Sequence, residues 1–298
     1  MRIRDFEYKR PSSTEEALSL LGDHGTDAKI AAGGTDLLVL MKKKMVCPRM
    51  VIDLSAVSEL RFVKEMEDGL HVGPMATLSD LLDFPPLERN YGVLKEVVSE
   101  IGSWQVRNRA TLAGNLCNAS PAADSAPALL VLEAKLRLRS LASERVVDLS
   151  DFFQGPGKTL LAPTEMVDEI IIPRPLPPCY GRYLRFSRRR KVDLALVGVA
   201  LLLFPGDRNG FTREARVALG AVAPIPLRSR KAEQTISGKI LDPSLFHEVA
   251  RICIEDTTCI SDIRASREYR EEILMTLVKR GLSEIGAEIR GEIRALTE

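Results

Sequence analysis

The sequence lacks any CxxC pair: its five cysteines, Cys47, Cys117, Cys179, Cys253 and Cys259, are scattered, and the three histidines, His24, His71 and His247, lie far from one another. Zinc and iron–sulfur ligation needs thiolates and imidazoles at short spacings, so no metal site built by this chain alone is expected. An excess of charge is missing too. The 42 Lys and Arg residues stand against 41 Asp and Glu, a formal charge of +1, and no global field favours nucleic acid or an anionic membrane. The opening MRIRDFEYKRP has no apolar stretch of a secretory signal, and the longest apolar segment, Leu194 to Phe204, is too short to span a bilayer. The expectation is a cytoplasmic chain with reduced thiols and no membrane span.

What is there suits a folded protein of two domains. The 298 residues exceed one domain at roughly 150 residues each, and 45% hydrophobic with 28% charged residues is ordinary globular composition. Ser12 or Ser13 caps a predicted helix through Leu21, and Lys29 to Ala32 reads as a short buried strand. Leu37, Leu38, Leu40 and Met41 then recur at helical spacing, with Lys42, Lys43 and Lys44 near the end where the helix dipole favours cations. Met50 to Asp53, Leu60 to Val63 and Leu70 to Val72 read as strands, the last two joined by a turn at Glu67-Asp68-Gly69. Thr77 caps a helix through Leu82, Leu94 to Ile101 is helical, Trp104 to Leu112 reads as irregular, and Pro121 to Leu132 is a buried helix. Lys135 to Arg139 and Arg145 to Asp148 suit a hairpin. Pro173, Pro175, Pro177 and Pro178 break every regular pattern, and the domain boundary is placed there. Beyond it come strands at Tyr180 to Arg185, Leu194 to Phe204 and Ala215 to Ala221, then helices from Pro243 and Glu268, an α+β order.

Two glycine turns carry the chemistry. In Ala31-Ala32-Gly33-Gly34-Thr35-Asp36-Leu37 a strand runs into paired glycines and then a helix. Backbone N–H groups can converge there on a phosphate. The plainer alternative is a tight turn with Asp36 capping the helix. GxGxxG is absent. The second turn, from Arg107-Asn108-Arg109 through Thr111-Leu112-Ala113-Gly114-Asn115 to Asp124, gathers hydroxyl, amide and carboxylate groups able to bind a diphosphate and sugar hydroxyls without a basic field. Here the alternative is a buried polar turn with Asp124 as helix cap. Gln154-Gly155-Pro156-Gly157-Lys158-Thr159 ends like a Walker A loop, but Phe152 stands where its first glycine is required. The run Arg185, Arg188, Arg189, Arg190, Lys191 has only Phe186 as an aromatic partner and is read as a solvated strand edge or a rim facing an anionic cofactor or partner.

With these residues in view the sequence resembles the FAD-binding medium subunits of the molybdenum hydroxylases, the group of xanthine and carbon monoxide dehydrogenases. The resemblance runs over almost the whole chain through AAGGTDLL at 31 to 38, RNRATLAGNLCNASPAAD at 107 to 124, FFQGPGKTLLAPTEMV at 152 to 167 and YLRFSRRRKVDLALVGVA at 183 to 200. It implies a two-subdomain FAD-binding fold of the p-cresol methylhydroxylase and vanillyl-alcohol oxidase type over 1–175, with subdomains at about 1–56 and 57–175. An α+β domain with a three-stranded antiparallel sheet is implied over 179–290. It assigns Ala31, Ala32, Gly33, Gly34, Thr35, Asp36 and Leu37 to the first pyrophosphate loop and Thr111, Leu112, Ala113, Gly114 and Asn115 to the second. Asp124 becomes a polar FAD contact, Ile101 and Val167 apolar ones, and Arg185 stands where several relatives carry lysine near the flavin ring. Simple core packing is the alternative for Ile101 and Val167. Two departures stand out: Ala113-Gly114 replaces paired glycines, so position 113 must accept a Cβ, and the planar Arg185 replaces a point charge.

The implied activity is electron transfer from [2Fe–2S] clusters to NAD, dioxygen or a quinone. FAD is expected to be noncovalent, since neither loop holds a histidine or cysteine. The molybdenum cofactor and the clusters are implied for a large and a small partner subunit, in a dimer of heterotrimers. No catalytic residue is assigned. The alternatives are an assembly subunit that has lost flavin and a standalone flavin oxidoreductase of the same fold.

Overall fold

The Ser13 hydroxyl accepts the Glu16 N–H and starts the helix Thr14–His24, which buries Ala17, Leu18 and Leu21. That face covers a parallel sheet of β1 (Glu7–Lys9), β2 (Ala28–Ala31) and β3 (Met50–Asp53) in the order β1-β3-β2. Ala28, Met50, Ile52 and Leu54 complete its apolar layer. This computed structural model describes residues 3–189, 192–206 and 211–297, with side chains through 291. The sequence readings at Met1, Arg2, Arg190 and Lys191 lie outside the described residues.

The chain divides into two compact units, one of residues 1–86, 102–120 and 133–173, the other of 87–101, 121–132 and 174–298. The first unit adds a second sheet. Its strands are β4 (Val63–Glu65), β5 (Gly69–Val72), β6 (Lys135–Arg139), β7 (Glu144–Asp148) and, past a hairpin of β8 (Phe153–Gly155) and β9 (Lys158–Thr159), β10 (Met166–Pro173). They pair antiparallel in the order β4-β5-β10-β6-β7. A buried polar seam joins three of them. The ring nitrogens of His71 on β5 lie 2.8 Å from Glu169 Oε1 on β10 and 2.9 Å from Asp68 Oδ1, and Arg137 Nη1 on β6 is 2.6 Å from Glu169 Oε2.

The second unit is built on β11 (Tyr180–Phe186), β12 (Val197–Pro205), β13 (Thr212–Gly220) and β14 (Leu227–Arg228), antiparallel in chain order. β12 is buried along nearly its full length, the pattern of a strand covered on both faces. The helix Ser125–Val131, all seven residues buried, packs on β12 and β13. A Cβ on Gly220 would stand 2.8 Å from Pro127, which explains the glycine. The helices Pro243–Glu255 and Arg267–Thr297 supply Leu245, Val249, Ile252, Leu274, Val278 and Leu282 to the same core. Among the described residues no helix is long and apolar enough to cross a membrane.

Four local readings change. Ser58–Leu60 is a 3-10 turn closed by the Arg61 N–H on the Ser58 carbonyl, so the strand read at Leu60 to Val63 begins only at Val63. Trp104–Arg107 is a helical turn capped by Ser103 rather than irregular chain. The C-terminal sheet has a fourth strand, the two-residue β14, too short to leave a periodic signal. The helix Leu37–Lys42 buries only Met41 while Leu38 and Val39 are exposed, so its apolar spacing does not mark a core-facing side.

Candidate FAD-binding site

β2 delivers the first glycine turn at the carboxyl end of the parallel sheet, where open α/β sheets place their ligands. Gly34 takes a left-handed φ of 73°, which a residue with a Cβ enters at a cost. Gly33 is needed for a different reason. A Cβ there would lie 2.0 Å from the Arg109 carbonyl oxygen and 2.9 Å from Ala110 Cα, so the two glycine turns touch backbone to backbone. Asp36 makes no side-chain cap bond to the helix it precedes, and the capping alternative fails.

The second turn is fixed by hydroxyls. Thr111 Oγ1 accepts the Gly114 N–H at 3.0 Å and caps the helix Leu112–Cys117. Thr111 also bridges Thr77, and the Leu78 N–H donates to the Ala110 carbonyl at 2.9 Å. Leu112 and Ala113 are buried in that helix, and Ala113 carries its Cβ without a left-handed φ. Gly114 faces Thr111 Oγ1 at the 3.0 Å a Cβ would have. Asn115 follows one residue later on the same helix.

A cavity of about 510 Å³ opens beside these turns, lined by Ala32 and Leu54 from the ends of β2 and β3 and by Asn108, Arg109 and Thr111 from the second turn. Arg10, Ser55, Ser58, Arg61 and Thr77 complete its polar wall. Arg10 Nε donates to Ser55 Oγ at 3.1 Å, and Arg61 grips Asp80 through two bonds of 2.9 and 2.8 Å. Among the described residues that line the cavity none is acidic. Hydroxyls and guanidinium groups, with no carboxylate among the described lining residues, form a donor set that fits a diphosphate. Sequence reasoning found Ala32 and Thr111 but missed Arg10, Ser55, Ser58 and Arg61, whose approach depends on how β1, β3 and the 3-10 turns end. Thr77 was visible only as a helix cap.

The second unit holds its own buried cluster. Asp124 does not cap the helix that follows it. Its Oδ1 accepts the Tyr183 hydroxyl at 2.7 Å, and its Oδ2 lies 3.3 Å from Arg185 Nη1. Arg185 also donates to the carbonyls of Glu100 at 3.2 Å and Asp193 at 2.5 Å. Its Nε is buried with no acceptor among the described residues, an unmet donor that a cofactor carbonyl or hydroxyl would satisfy. Burial pushes the Asp124 carboxyl above its ordinary range, against the pull of Arg185 and of the Tyr183 hydrogen bond. Burial beside Asp124 holds the Tyr183 phenol well above its usual value. Ile101 is half-buried at the end of the helix Gly92–Glu100. In the first unit Val167 is buried on β10 opposite Leu138.

The fold is a mixed helix-and-strand FAD-binding domain followed by an α+β domain. Residues 4–175 match the family described as FAD binding domain in molybdopterin dehydrogenase, and residues 182–285 match the CO dehydrogenase flavoprotein C-terminal domain. The chain belongs to that family: it is an oxidoreductase flavoprotein component of the xanthine dehydrogenase and carbon monoxide dehydrogenase type, with an FAD-binding domain. It is 32% identical to the xanthine dehydrogenase FAD-binding subunit of Escherichia coli O157:H7, over 96% of this chain and 98% of the relative. It is 31% identical to the carbon monoxide dehydrogenase medium chain of Hydrogenophaga pseudoflava, over 93% and 96%. Among solved structures, the reconstituted CO dehydrogenase from Oligotropha carboxidovorans superimposes with a TM-score of 0.93 at 28% identity, covering 96% of this chain and 99% of that one.

Proposed function

We propose that this chain is the flavin-carrying subunit of a cytoplasmic molybdenum hydroxylase complex, receiving electrons from the [2Fe–2S] clusters of a small subunit and delivering them to NAD, dioxygen or a quinone. A large molybdopterin subunit would oxidise the organic substrate, in a dimer of heterotrimers. The observation that carries this reading is the backbone contact of Gly33 with Arg109, which brings two main-chain turns together beside an acid-free cavity in an FAD-binding family.

In this reading the turns at Ala31 to Leu37 and Thr111 to Asn115 hold the diphosphate by main-chain N–H groups, and the Ser55, Ser58, Thr77 and Thr111 hydroxyls supply further hydrogen bonds. Arg10, Arg61 and Arg109 offset the charge. The family resemblance assigns Asp124 and Arg185 polar contacts with the cofactor, and Ile101 and Val167 apolar ones. Noncovalently bound FAD supplies a carrier that accepts electrons singly and releases them in pairs.

The test is co-production of the chain with a large molybdopterin subunit and a small two-cluster subunit. A yellow heterotrimer whose flavin absorbance bleaches on addition of the large subunit's substrate supports the proposal. A colourless complex that takes up no added FAD indicates an assembly subunit, and turnover by the isolated chain indicates a standalone oxidoreductase.

A further inference from the structure

Tyr183 lies outside both glycine turns and has no assigned role. It sits two residues from Arg185 on β11, so both side chains share one face of the strand. That spacing directs the phenol and the guanidinium at the same carboxylate, one to each oxygen of Asp124. The cross-strand pairs are Tyr183 with Ala200 and Arg185 with Gly198. Gly198 makes room for the arrangement, because a Cβ there would stand 3.0 Å from the Tyr183 hydroxyl oxygen. The main chain of Tyr183 is pinned as well, its N–H donating to Glu96 Oε2 at 2.7 Å.

We propose that Tyr183 is a positioning residue for the cofactor: with Arg185 it locks the Asp124 carboxylate in one rotamer and keeps it an acceptor for a hydroxyl or N–H of FAD. The inference rests on the reading of Asp124 as a cofactor contact. Each Asp124 oxygen has two lone pairs, and one protein donor on each leaves acceptor capacity on both. The charged and titratable groups facing Asp124 are Tyr183 and Arg185 from β11 and Glu100 at the end of the helix Gly92–Glu100. Arg185 and the Tyr183 hydroxyl favour the ionised carboxylate, whereas burial and Glu100 oppose it. Without the Tyr183 donor the balance moves toward the protonated acid, which has one acceptor oxygen fewer.

The experiment measures FAD binding to the flavin-stripped full chain by fluorescence between pH 5 and 9, with thermal unfolding recorded beside it. Tyr183→Phe is expected to weaken FAD binding about tenfold near neutral pH and to move upward the pH at which binding is half lost. Gly198→Ala displaces the hydroxyl without removing it and shifts that pH in the same direction by less. It decides the matter if Tyr183→Phe does not fold. Asp124→Asn is expected to bind weakly with no such pH dependence. Folded Tyr183→Phe and Gly198→Ala that bind FAD with the parent affinity and pH profile would overturn the proposal. A parent chain that takes no FAD at any pH would instead overturn the flavin reading beneath it.

Discussion

Gly33→Ala tests the contact on which the proposed cofactor cradle depends. The new methyl would start 2.0 Å from the Arg109 carbonyl oxygen and 2.6 Å from its carbonyl carbon, roughly 1 Å inside the closest approach a side-chain carbon tolerates. Both neighbours are backbone, so no flexible side chain can swing aside. The two turns must separate, at a cost of about 1–3 kcal/mol by analogy with overpacked cores. At about 2–4 °C per kcal/mol for a domain of this size, that lowers the melting temperature by roughly 2–12 °C. FAD affinity should fall with it, since the same turns form the proposed cradle. Gly34→Ala sets the scale: it faces a left-handed φ worth about 1–2 kcal/mol but only ordinary van der Waals contact, its nearest neighbour being Leu38 Cδ1 at 3.6 Å. Gly22→Ala, inside the helix Thr14–His24 with nothing within 4 Å, should stabilise by about 0.5–1 kcal/mol. Calorimetry and flavin fluorescence on the three variants give the ordering. A Gly33→Ala chain that melts and binds FAD like the parent would refute the backbone contact between the turns.

Three further outcomes are expected. His71→Leu leaves Glu169 buried with Arg137 as its partner and should cost about 2 kcal/mol by urea denaturation, less than the loss of an isolated buried pair because that ion pair persists. Desolvation raises the Asp262 carboxyl, but hydrogen bonds from Arg264, from the Arg264 and Ala265 N–H groups and from buried Arg270 outweigh it and hold it below its ordinary 3.8. Its contribution is therefore complete above pH 4 and lost as pH falls below that value, so Asp262→Asn should flatten the acid limb of stability while lowering it at pH 7. Burial pushes the Cys253 thiol up to about 12, whereas Cys47 is exposed. Maleimide at pH 7.5 should label Cys47 in the native chain and reach Cys253 only on unfolding, which mass mapping reads directly.

Legibility followed the range of the forces involved. The helix Ser125–Val131 was readable because an unbroken apolar run bounded by polar turns has few other solutions, and Thr77 because a hydroxyl three residues before an acid closes a capping box within one turn. The glycine turns were readable as places where a Cβ is unwelcome, but not for which reason. Gly34 needs its φ, a local property, while Gly33 needs its emptiness because Arg109, far along the chain, lies against it. The same limit explains Leu38 and Val39: helical spacing says which residues share a face and is silent on what, if anything, covers that face. Tyr183 is the clearest case. Its two-residue spacing from Arg185 was in plain view, yet a tyrosine two positions from an arginine is commonplace on a strand. Only the packing of β11 against the segment that begins at Asp124 turns the pair into a clamp. Sequence periodicity thus reports which groups point together, and topology decides what they meet.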